Sequence, residues 1–410
     1  MDAHRALVFS IRWQSPSLDW VLSEFRLLVN ESIRIALRED IRSRARLAQI
    51  AYQGLSRTHQ VYKQYIPSAF EVALAVLKAH RRRLKKGKRC SIPFMRRLML
   101  KAENQSYRFD RETGRLHIPI RGTEGVQMVL PISAWHRAFL SDPAWGLGSL
   151  TIVPGKIILI VRRQVPTLYE PVGAIALDTN EDSMDGIVAS NQGMVPTVLP
   201  FGGVRRIQAT HFRARRKLAA KKARDRRVMR RMLNREGQRE MNRVRQRLHR
   251  LSKRLVTFAR AGRRAIVLED LTLQGAGGRL HRMNRRLSSW PRGELHRQIE
   301  YKAALAGVPV IKVNPAWTSK TCPVCGARRR DRVGKVFVCL MCDWEMDRQI
   351  NAGLNILKTA LASNEALARA VRFQPGALRH DVVSPLYDLL REGGGAREEP
   401  SGVESRQEAT

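Results

Sequence analysis

Three acidic residues stand at positions where their side chains could share metal ions. Asp178 ends the apolar run 172–177, Glu269 ends a second apolar run at 265–268, and Asp347 opens a helical pattern. Carboxylates at the ends of apolar strands can hold two Mg²⁺ ions. Such a pair of ions binds the attacking and the leaving oxygen when a phosphodiester is hydrolysed. In a chain with a formal net charge of +39, this chemistry indicates cleavage of nucleic acid.

Other acids lie close to these three in the sequence. They are Glu181, Asp182, Asp185 and Asp270. We interpret them as solvated turn residues, because they lie beyond the ends of the apolar runs. Carboxylates that converge without a metal would repel one another, and some would stay protonated. The sequence therefore predicts that Asp178, Glu269 and Asp347 are catalytic ligands of two Mg²⁺ ions, with water as the nucleophile.

Four of the five cysteines form one compact cluster. Cys322 and Cys325 make a first C-x2-C pair, and Cys339 and Cys342 make a second pair after a gap of 13 residues. Each pair suits a tight turn that presents two thiolates, and two such turns complete a tetrahedral Zn²⁺ site. Because four thiolates leave no open position, we expect a structural zinc. The remaining cysteine, Cys90, stands alone in a basic segment.

Composition limits the class of protein. The 410 residues include 75 Lys and Arg against 36 Asp and Glu, and the sequence pI is about 11.4. Such a charge attracts polyanions, and basic residues also cluster locally, so we expect a nucleic-acid-binding protein rather than a ribosomal-type or merely basic one. No apolar run reaches the roughly 18 residues of a membrane span, and residues 1–5 lack a signal-peptide pattern. A cytoplasmic, nucleoid-associated location follows as an expectation.

The first 171 residues combine helical and strand-like patterns. A strand is predicted over 5–13, a helical pattern over 18–55, and a further helix after Pro67 with Ser68 and Glu71 as a capping box. Two hairpins are predicted between residues 105 and 161, around Gly114 and Gly155. We expect a β-barrel or sandwich into which a helical module is inserted.

The rest of the chain alternates strands with helices. Strands are predicted at 172–177, 186–189, 195–199, 265–268 and 308–313, and helices near 294–306 and from Asp347 onward. Between Arg205 and Arg264 there are 24 Lys and Arg but only three acids, and we expect Gly237 to divide this segment into two helices. The second half carries a heptad pattern: Met241, Val244, Leu248, Leu251, Leu255 and Phe258.

A solvated helix usually mixes both signs of charge, so this imbalance predicts contact with phosphates. The basic end of the helix after Pro67 is interpreted in the same way. The predicted nucleic-acid-binding residues are Arg81, Arg82, Arg83, Lys85, Lys86, Arg213, Arg215, Arg216, Lys217, Lys221, Lys222, Arg226, Arg227, Arg230 and Arg231.

Two strings in the C-terminal half resemble a known family. They are TSKTCPVCG at 318–326 and DRQINAGLNI at 347–356, and they follow AIVLEDL at 265–271 in the family's order. The chain resembles the TnpB proteins of insertion sequences and their relatives, the type V CRISPR effectors. The resemblance is strong over 172–358; over 1–171 only the order of elements matches. One departure is Asp178-Thr179-Asn180, which lacks the glycine often found after the family's first acid.

The resemblance implies an RNA-guided DNA endonuclease with an RNase H-like (RuvC) nuclease domain of mixed α/β fold. Guide RNA and target double-stranded DNA would be its partners, and guide RNA, Mg²⁺ and Zn²⁺ its cofactors. The implied domains are a wedge-like β-barrel (1–13 and 89–171), a helical recognition module (14–88), a split RuvC-like domain (172–313 and 343–361) with a basic insertion (205–264), a zinc ribbon (314–342), and a tail (362–410) with a disordered end.

Two other functions remain open at this point. One is an RNA-guided DNA-binding repressor that does not cut, which the loss of a carboxylate would favour. The other is a guide-free, structure-specific nuclease of the RuvC resolvase type, against which the zinc cluster and the large basic N-terminal region argue.

Overall fold

The structure, a computed structural model, describes residues 2–13, 15–221, 225–270, 290–328, 330–378 and 384–385. The chain forms two compact units, Met1–Gln164 and Val165–Thr410. The expected disorder of the tail end, which includes 392–395, lies outside the described residues, and so does Lys222. Among the described helices, none combines the length and apolar character that crossing a bilayer requires.

The described strands of the N-terminal unit form two antiparallel sheets. In spatial order, the first contains β1 (Asp2–Ser10), β7 (Lys156–Gln164), β6 (Gly146–Val153) and β2 (Leu100–Ala102); the second contains β3 (Arg108–Phe109), β4 (Arg115–Arg121) and β5 (Glu124–Val129). Both predicted hairpins are confirmed, and Gly114 and Gly155 take the left-handed φ values of 74° and 80° that their turns need. Closure of these strands into a barrel stays a prediction.

The helices of this unit differ from the predicted pattern in two places. They are α1 (Pro16–Arg38), α2 (Arg44–Thr58), α3 (Tyr65–Leu84) and α4 (Ala134–Leu140). The helical pattern over 18–55 is not one helix, because the chain turns at Asp40, with φ of 40°, and Ser43 caps a new helix. The capping box at Ser68 is also wrong. Ser68 lies inside α3, which begins earlier, at Tyr65.

One six-stranded sheet organises the C-terminal unit. In spatial order it contains β12 (Val310–Val313), β11 (Arg264–Glu269), β8 (Gly173–Thr179), β9 (Ser183–Ser190), β10 (Gly193–Pro200) and β16 (Ser384–Pro385). The strands β8, β9 and β10 pair antiparallel, whereas β11 and β12 continue the sheet in parallel with β8. The strands predicted from the apolar runs are therefore confirmed, and the central strand β8 carries Asp178.

Helices cover both faces of this sheet. The helices are α5 (Val204–Ala220), α6 (Arg226–Ala261), α7 (Arg292–Ala306), α8 (Arg348–Ser363) and α9 (Glu365–Ala370). Because side chains alternate across a sheet, Ile175 and Leu177 pack on the face of α6 and α7, whereas Ala174 and Ala176 pack on the face of α8. A small sheet of β13 (Arg330–Val333), β14 (Val336–Cys339) and β15 (Glu345–Asp347) leads directly into α8.

The basic segment forms α5 and α6, but the helix break is not at Gly237. Gly237 lies inside α6, whereas α5 ends at Ala220 and α6 begins at Arg226, where the side chain of Asp225 accepts hydrogen bonds from the backbone of Arg227 and Val228. A single glycine costs only about 1 kcal/mol within a helix, which a long packed helix can tolerate. Most of the heptad pattern faces the core, since Val244, Leu248, Leu251, Leu255 and Phe258 are buried.

A glycine of α8 allows the helix to lie close to the sheet, at a point where a second glycine lets two strands lie close together. A Cβ atom on Gly353 of α8 would stand 2.5 Å from the Cα of Gly186 in β9. A Cβ atom on Gly186 would in turn stand 1.9 Å from the carbonyl oxygen of Ala176 in β8. Backbone atoms cannot withdraw as flexible side chains can, so the approach of α8 requires glycine at position 353, and the close pairing of β9 with β8 requires glycine at position 186. The contact sets the height of α8 above the sheet.

This close contact leads to a stability prediction. Gly353→Ala should lower the free energy of unfolding by roughly 1–3 kcal/mol, because the added methyl group must displace backbone. Gly237→Ala is the matched control, since among the described residues nothing lies within 4 Å of its Cβ position. The control should raise stability by about 0.5–1 kcal/mol. Urea denaturation of the full chain measures both, and equal effects of the two variants would contradict the close contact.

Candidate active site and zinc centre

The register of the sheet brings two of the predicted carboxylates together. Leu177 of β8 lies opposite Leu268 of β11 in a parallel pair. The next residue on each strand, Asp178 and Glu269, therefore reaches the same edge of the sheet. Because side chains alternate between faces, both carboxylates project from the face on which α8 packs.

The third carboxylate arrives from the helix on that face. Asp347 is the N-cap of α8, and its Oδ1 accepts hydrogen bonds from the backbone N–H groups of Gln349 and Ile350. The helix N-terminus favours a negative charge at this position. Since α8 packs on β8 and β9 through Gly353 and Gly186, its first turn lies over the carboxyl end of β8.

A fourth carboxylate, Asp185, belongs to the same cluster. Its interpretation as a solvated turn residue is wrong, since Asp185 lies within β9, directly opposite Asp178, and is only 2% exposed. Its Oδ2 accepts hydrogen bonds from Asn180 Nδ2 (2.8 Å) and Ser183 Oγ (2.7 Å). Sequence reasoning could have found it, because a two-residue turn at 181–182 places residues 178 and 185 opposite each other. By contrast, the neighbouring acids Asp182 and Asp270 are exposed.

Burial and mutual repulsion govern the electrostatics of this cluster. Burial raises the pKa of Asp178 to about 7, and the charges of Glu269 and Asp185 contribute. Burial also raises the pKa of Asp185, with a contribution from Asp347. The pKa of Glu269 is raised by burial, against a hydrogen bond from Thr318. Carboxylate oxygens are the ligands that a hard cation such as Mg²⁺ prefers, so these residues could hold one, although among the described residues only the four cysteines have ligand atoms that all lie within 4.8 Å of one another.

Two residues from α7 and its approach border the carboxyl end of β8. His296 is buried, and its Nε2 lies 2.9 Å from the hydroxyl of Thr179. Burial lowers the pKa of His296 to about 4, so its ring is neutral at pH 7. Trp290 donates from Nε1 to the carbonyl oxygen of Asn180 at 2.9 Å. Neither residue belongs to a motif that the sequence would reveal, because both contact the turn after Asp178 only once distant segments have packed together.

The four predicted cysteines converge as expected for a metal centre. Their Sγ atoms all lie within 4.8 Å of one another, and Cys322–Cys342 and Cys325–Cys339 are each 3.6 Å apart. A tetrahedron with Zn–S bonds of about 2.3 Å has S–S edges of about 3.8 Å, so the cluster fits Zn²⁺. Four ligands would occupy every position, which is typical of a structural site.

The loop before the cysteines connects this centre to the carboxylates. Asn351 of α8 donates to the carbonyl oxygen of Thr321 (3.1 Å), and Asn355 donates to those of Thr318 (2.8 Å) and Thr321 (2.7 Å). The hydroxyl of Thr318 donates to Glu269 Oε1 at 2.5 Å. Four residues apart, the two asparagines share a face of α8. The two strings that carry the family resemblance, TSKTCPVCG and DRQINAGLNI, thus meet here.

The predicted nucleic-acid-binding residues mostly lie on the surface. Arg81 and Arg215 differ from the rest because they are partly buried in ion pairs. Arg81 pairs with Asp40 at 3.0 Å, and Arg215 pairs with Glu240. The other described members are exposed: Arg82, Arg83, Lys85, Lys86, Arg213, Arg216, Lys217, Lys221, Arg226, Arg227, Arg230 and Arg231.

The three acids of the basic segment are all engaged within it. Asp225 caps α6, Glu236 bonds to Nδ1 of His211 at 2.7 Å, and Glu240 pairs with Arg215. The contacts of Glu236 and Glu240 join α5 to α6, and Glu236 also lies 3.6 Å from the exposed Arg239, so three acids are engaged among 24 basic residues. The surface of this helix pair therefore keeps its strong positive charge.

The raised pKa of Asp178 predicts how stability depends on pH without Mg²⁺. An unfolded Asp has a pKa near 3.9, so the folded state binds more protons up to about pH 7 and loses stability as the pH rises through that window. Asp178→Asn should therefore raise the melting temperature, and by more at pH 8 than at pH 5. Asp182→Asn, at an exposed turn, should show no such pH-dependent gain. Thermal unfolding measures this, and an equal gain at both pH values would contradict the assignment.

The cysteine geometry predicts one zinc per chain. Cys339→Ser should remove the zinc and lower the melting temperature, because structural zinc contributes folding free energy. Cys90→Ser is the matched control, since Cys90 lies outside the cluster, and it should keep the zinc. Elemental analysis of the purified proteins gives the result. A Cys339→Ser protein that retains a full equivalent of zinc would count against the assignment.

Comparison with known proteins identifies relatives of the chain. Residues 293–356 match a family described as Cas12f1-like, TNB domain, and residues 21–118 match the Uncharacterized protein MJ0013 family. The TnpB-like protein MJ0751 of Methanocaldococcus jannaschii is 27% identical over 258 residues, which cover 61% of this chain and 92% of that protein.

Two further comparisons connect the chain with CRISPR-associated proteins. The endodeoxyribonuclease Cas12f1 of Sulfoacidibacillus thermotolerans is 37% identical over 112 residues, or 26% of this chain and 25% of that protein. The solved Cas12f1 chain in a complex with sgRNA and target DNA has a similar fold, with a TM-score of 0.55 and 13% identity over 84% of this chain and 83% of that one. These sequence relatives, with which the fold agrees, confirm the resemblance of the chain to the TnpB proteins and to their relatives, the type V CRISPR effectors.

Proposed function

We propose that this protein is an RNA-guided DNA endonuclease that hydrolyses target DNA at a single site formed by Asp178, Glu269 and Asp347. The proposal is supported by the strand register, which puts Asp178 opposite Asp185 and beside Glu269, and by the mutual effect of the acidic charges, including that of Asp347, in a chain of net charge +39. A strongly basic protein has no electrostatic need to gather buried acids, whereas metal-dependent phosphodiester hydrolysis requires such a group.

The architecture supports an RNase H-like, RuvC-type interpretation of the C-terminal unit. Its central strands follow the order β10-β9-β8-β11-β12, in which three antiparallel strands continue into a parallel pair. Helices lie on both faces, and the carboxylates stand at the end of the central strand and of its parallel neighbour. The basic α5 and α6 lie in the chain between β10 and β11, as the interpretation of 205–264 as an insertion requires.

Asp178, Glu269 and Asp347 would hold the Mg²⁺ ions, which when bound supply a nucleophilic water and stabilise charge on the phosphate oxygens. The protein's own contribution is to position and protect these ligands. Thr318 orients Glu269 through its hydroxyl, and the backbone of α8 orients Asp347. The charge of the buried Asp185 raises the pKa of Asp178, so a bound cation would stabilise the ionised form of both carboxylates.

Nucleic acid would be held by the basic surfaces. We assign guide RNA and the guide–target heteroduplex to the N-terminal 171 residues and to α5 and α6, whose exposed cations suit phosphates. The zinc ribbon would guide target DNA to the carboxylates, because its preceding loop contacts Glu269. In this arrangement the protein recognises the backbone shape of the guide–target heteroduplex and one short DNA motif beside the target. Base pairing with the guide selects the target sequence.

The relatives add support of a different kind. Cas12f1 of Sulfoacidibacillus thermotolerans is named an endodeoxyribonuclease, and the solved Cas12f1 is held with sgRNA and target DNA. We transfer both properties to this chain as part of the proposal, since the matched segment contains the zinc cluster and Asp347.

The proposal predicts that cleavage requires both a guide and Mg²⁺. RNA that co-purifies with the protein would first be sequenced to define the scaffold. Protein, Mg²⁺ and plasmid would then be mixed with matched RNA, mismatched RNA or no RNA. Only the matched RNA should linearise the plasmid, because the guide supplies the sequence recognition. Equal cleavage in all three mixtures would instead favour a guide-free nuclease of the resolvase type.

The variant Asp347→Asn tests whether the proposed carboxylates carry out the cleavage. Asparagine is as good an N-cap as aspartate, so α8 should keep its start while one ligand charge is lost. Cleavage should fall to below about 1% of wild type, as for loss of a group that stabilises transition-state charge. Binding of guide and target should be nearly unchanged. Wild-type cleavage by this variant would show that the proposed site is wrong.

A further inference from the structure

Trp317 has an unusual conformation in the loop before the zinc centre. Its φ of 70° lies in the left-handed region, which bulky residues rarely adopt, and its side chain is 51% exposed. Its carbonyl oxygen accepts hydrogen bonds from the backbone N–H groups of Lys320 (2.9 Å) and Thr321 (3.1 Å), and from the hydroxyl of Thr321 (3.0 Å). The turn therefore holds a large aromatic ring towards solvent at a conformational cost.

Two cations accompany the exposed ring. Lys320 Nζ lies 5.1 Å, and Arg328 Cζ 4.5 Å, from the centroid of the Trp317 ring. Within the part of the chain that the structure describes, neither cation forms a salt bridge. An exposed indole beside two cations suits a ligand that offers an aromatic face next to negative charge.

The loop that carries Trp317 also contacts the carboxylate Glu269. Trp317 directly precedes Thr318, whose hydroxyl donates to Glu269 and whose carbonyl oxygen accepts from Asn355 of α8. The loop is thus fixed at the residue next to Trp317, and that residue contacts one of the proposed metal ligands. Backbone strain that surrounding contacts maintain is concentrated at functional sites, where it orients a group for binding.

We propose that Trp317 is a stacking platform for an unpaired base of single-stranded DNA, with Lys320 and Arg328 contacting the neighbouring phosphates. Every base offers a π-face, so such a site would accept any sequence, as a guided nuclease requires of the strand it cuts. The inference deepens the proposed function, on which it rests for the identity of the strand. The nucleotide-binding site lies in the loop whose residue Thr318 contacts Glu269.

The test is direct binding by the full chain carrying Asp178→Asn, so that no DNA is cut. The probes are a 12-nucleotide single-stranded DNA and an abasic version with the same phosphates, at about 0.3 M salt, where purely electrostatic binding is weak. Trp317→Leu should weaken binding of the base-containing DNA by roughly 5- to 100-fold, the range of one stacked base. Binding of the abasic DNA should not change.

Two further variants separate stacking from folding and from general surface effects. Trp317→Phe keeps a ring and should retain most of the affinity, and zinc content verifies that each variant keeps the ribbon. Trp20→Leu is the matched control, because Trp20 is also exposed and has Arg121 over its ring at 5.4 Å. It should not lower the preference for the base-containing DNA.

Several outcomes would overturn the proposal. They are equal weakening of both probes by Trp317→Leu, no weakening at all, or the same loss with Trp20→Leu. A stronger Trp317 dependence for a 12-nucleotide RNA than for DNA would assign the site to the guide instead. Because this assay measures binding without guide or cleavage, its result is independent of the guided-cleavage experiment. A failure of the stacking proposal can therefore be distinguished from a failure of the proposed guided cleavage.

Discussion

The close approach of α8 to the central sheet is the constraint on which the candidate site depends. Gly353 lets the helix lie against the backbone of β9, where any side chain would hold it away, and Gly186 lets β9 lie close to β8. The first turn of α8 then brings Asp347 over the end of β8, and its later turns bring Asn351 and Asn355 to the loop before the cysteines. One backbone contact thus sets the position of a carboxylate and of a loop.

That contact also explains why the zinc centre and the carboxylates belong to one structural unit. The loop that leads to Cys322 bonds to α8 through two asparagines and to Glu269 through Thr318. Beyond the second cysteine pair, β15 runs straight into Asp347. A structural zinc would stiffen both chain segments that lead to the site. Its effect on activity would therefore be indirect, through the position of Glu269 and Asp347.

Charge is distributed in opposite ways in the two functional regions. In the basic helix pair, each acid is engaged in a cap or a cross-helix contact, so the outer surface remains cationic. At the end of the sheet, acids accumulate with raised pKa values and without compensating buried cations among the described neighbours. The first arrangement suits phosphate backbones, and the second suits metal ions. Both are consistent with a protein that holds nucleic acid in one place and hydrolyses it in another.

Local sequence signals determined a large part of this picture. Cysteine spacing, the apolar runs that end at Asp178 and Glu269, and the hairpin turns depend on neighbouring residues, so they could be predicted and the structure agrees with them. Tertiary packing decided the rest. It buries Asp185, pairs Arg215 with Glu240, and carries α6 through Gly237. The exposed, strained conformation of Trp317 has the same origin. These features depend on which distant segments meet, and a pattern of neighbouring residues contains no such information.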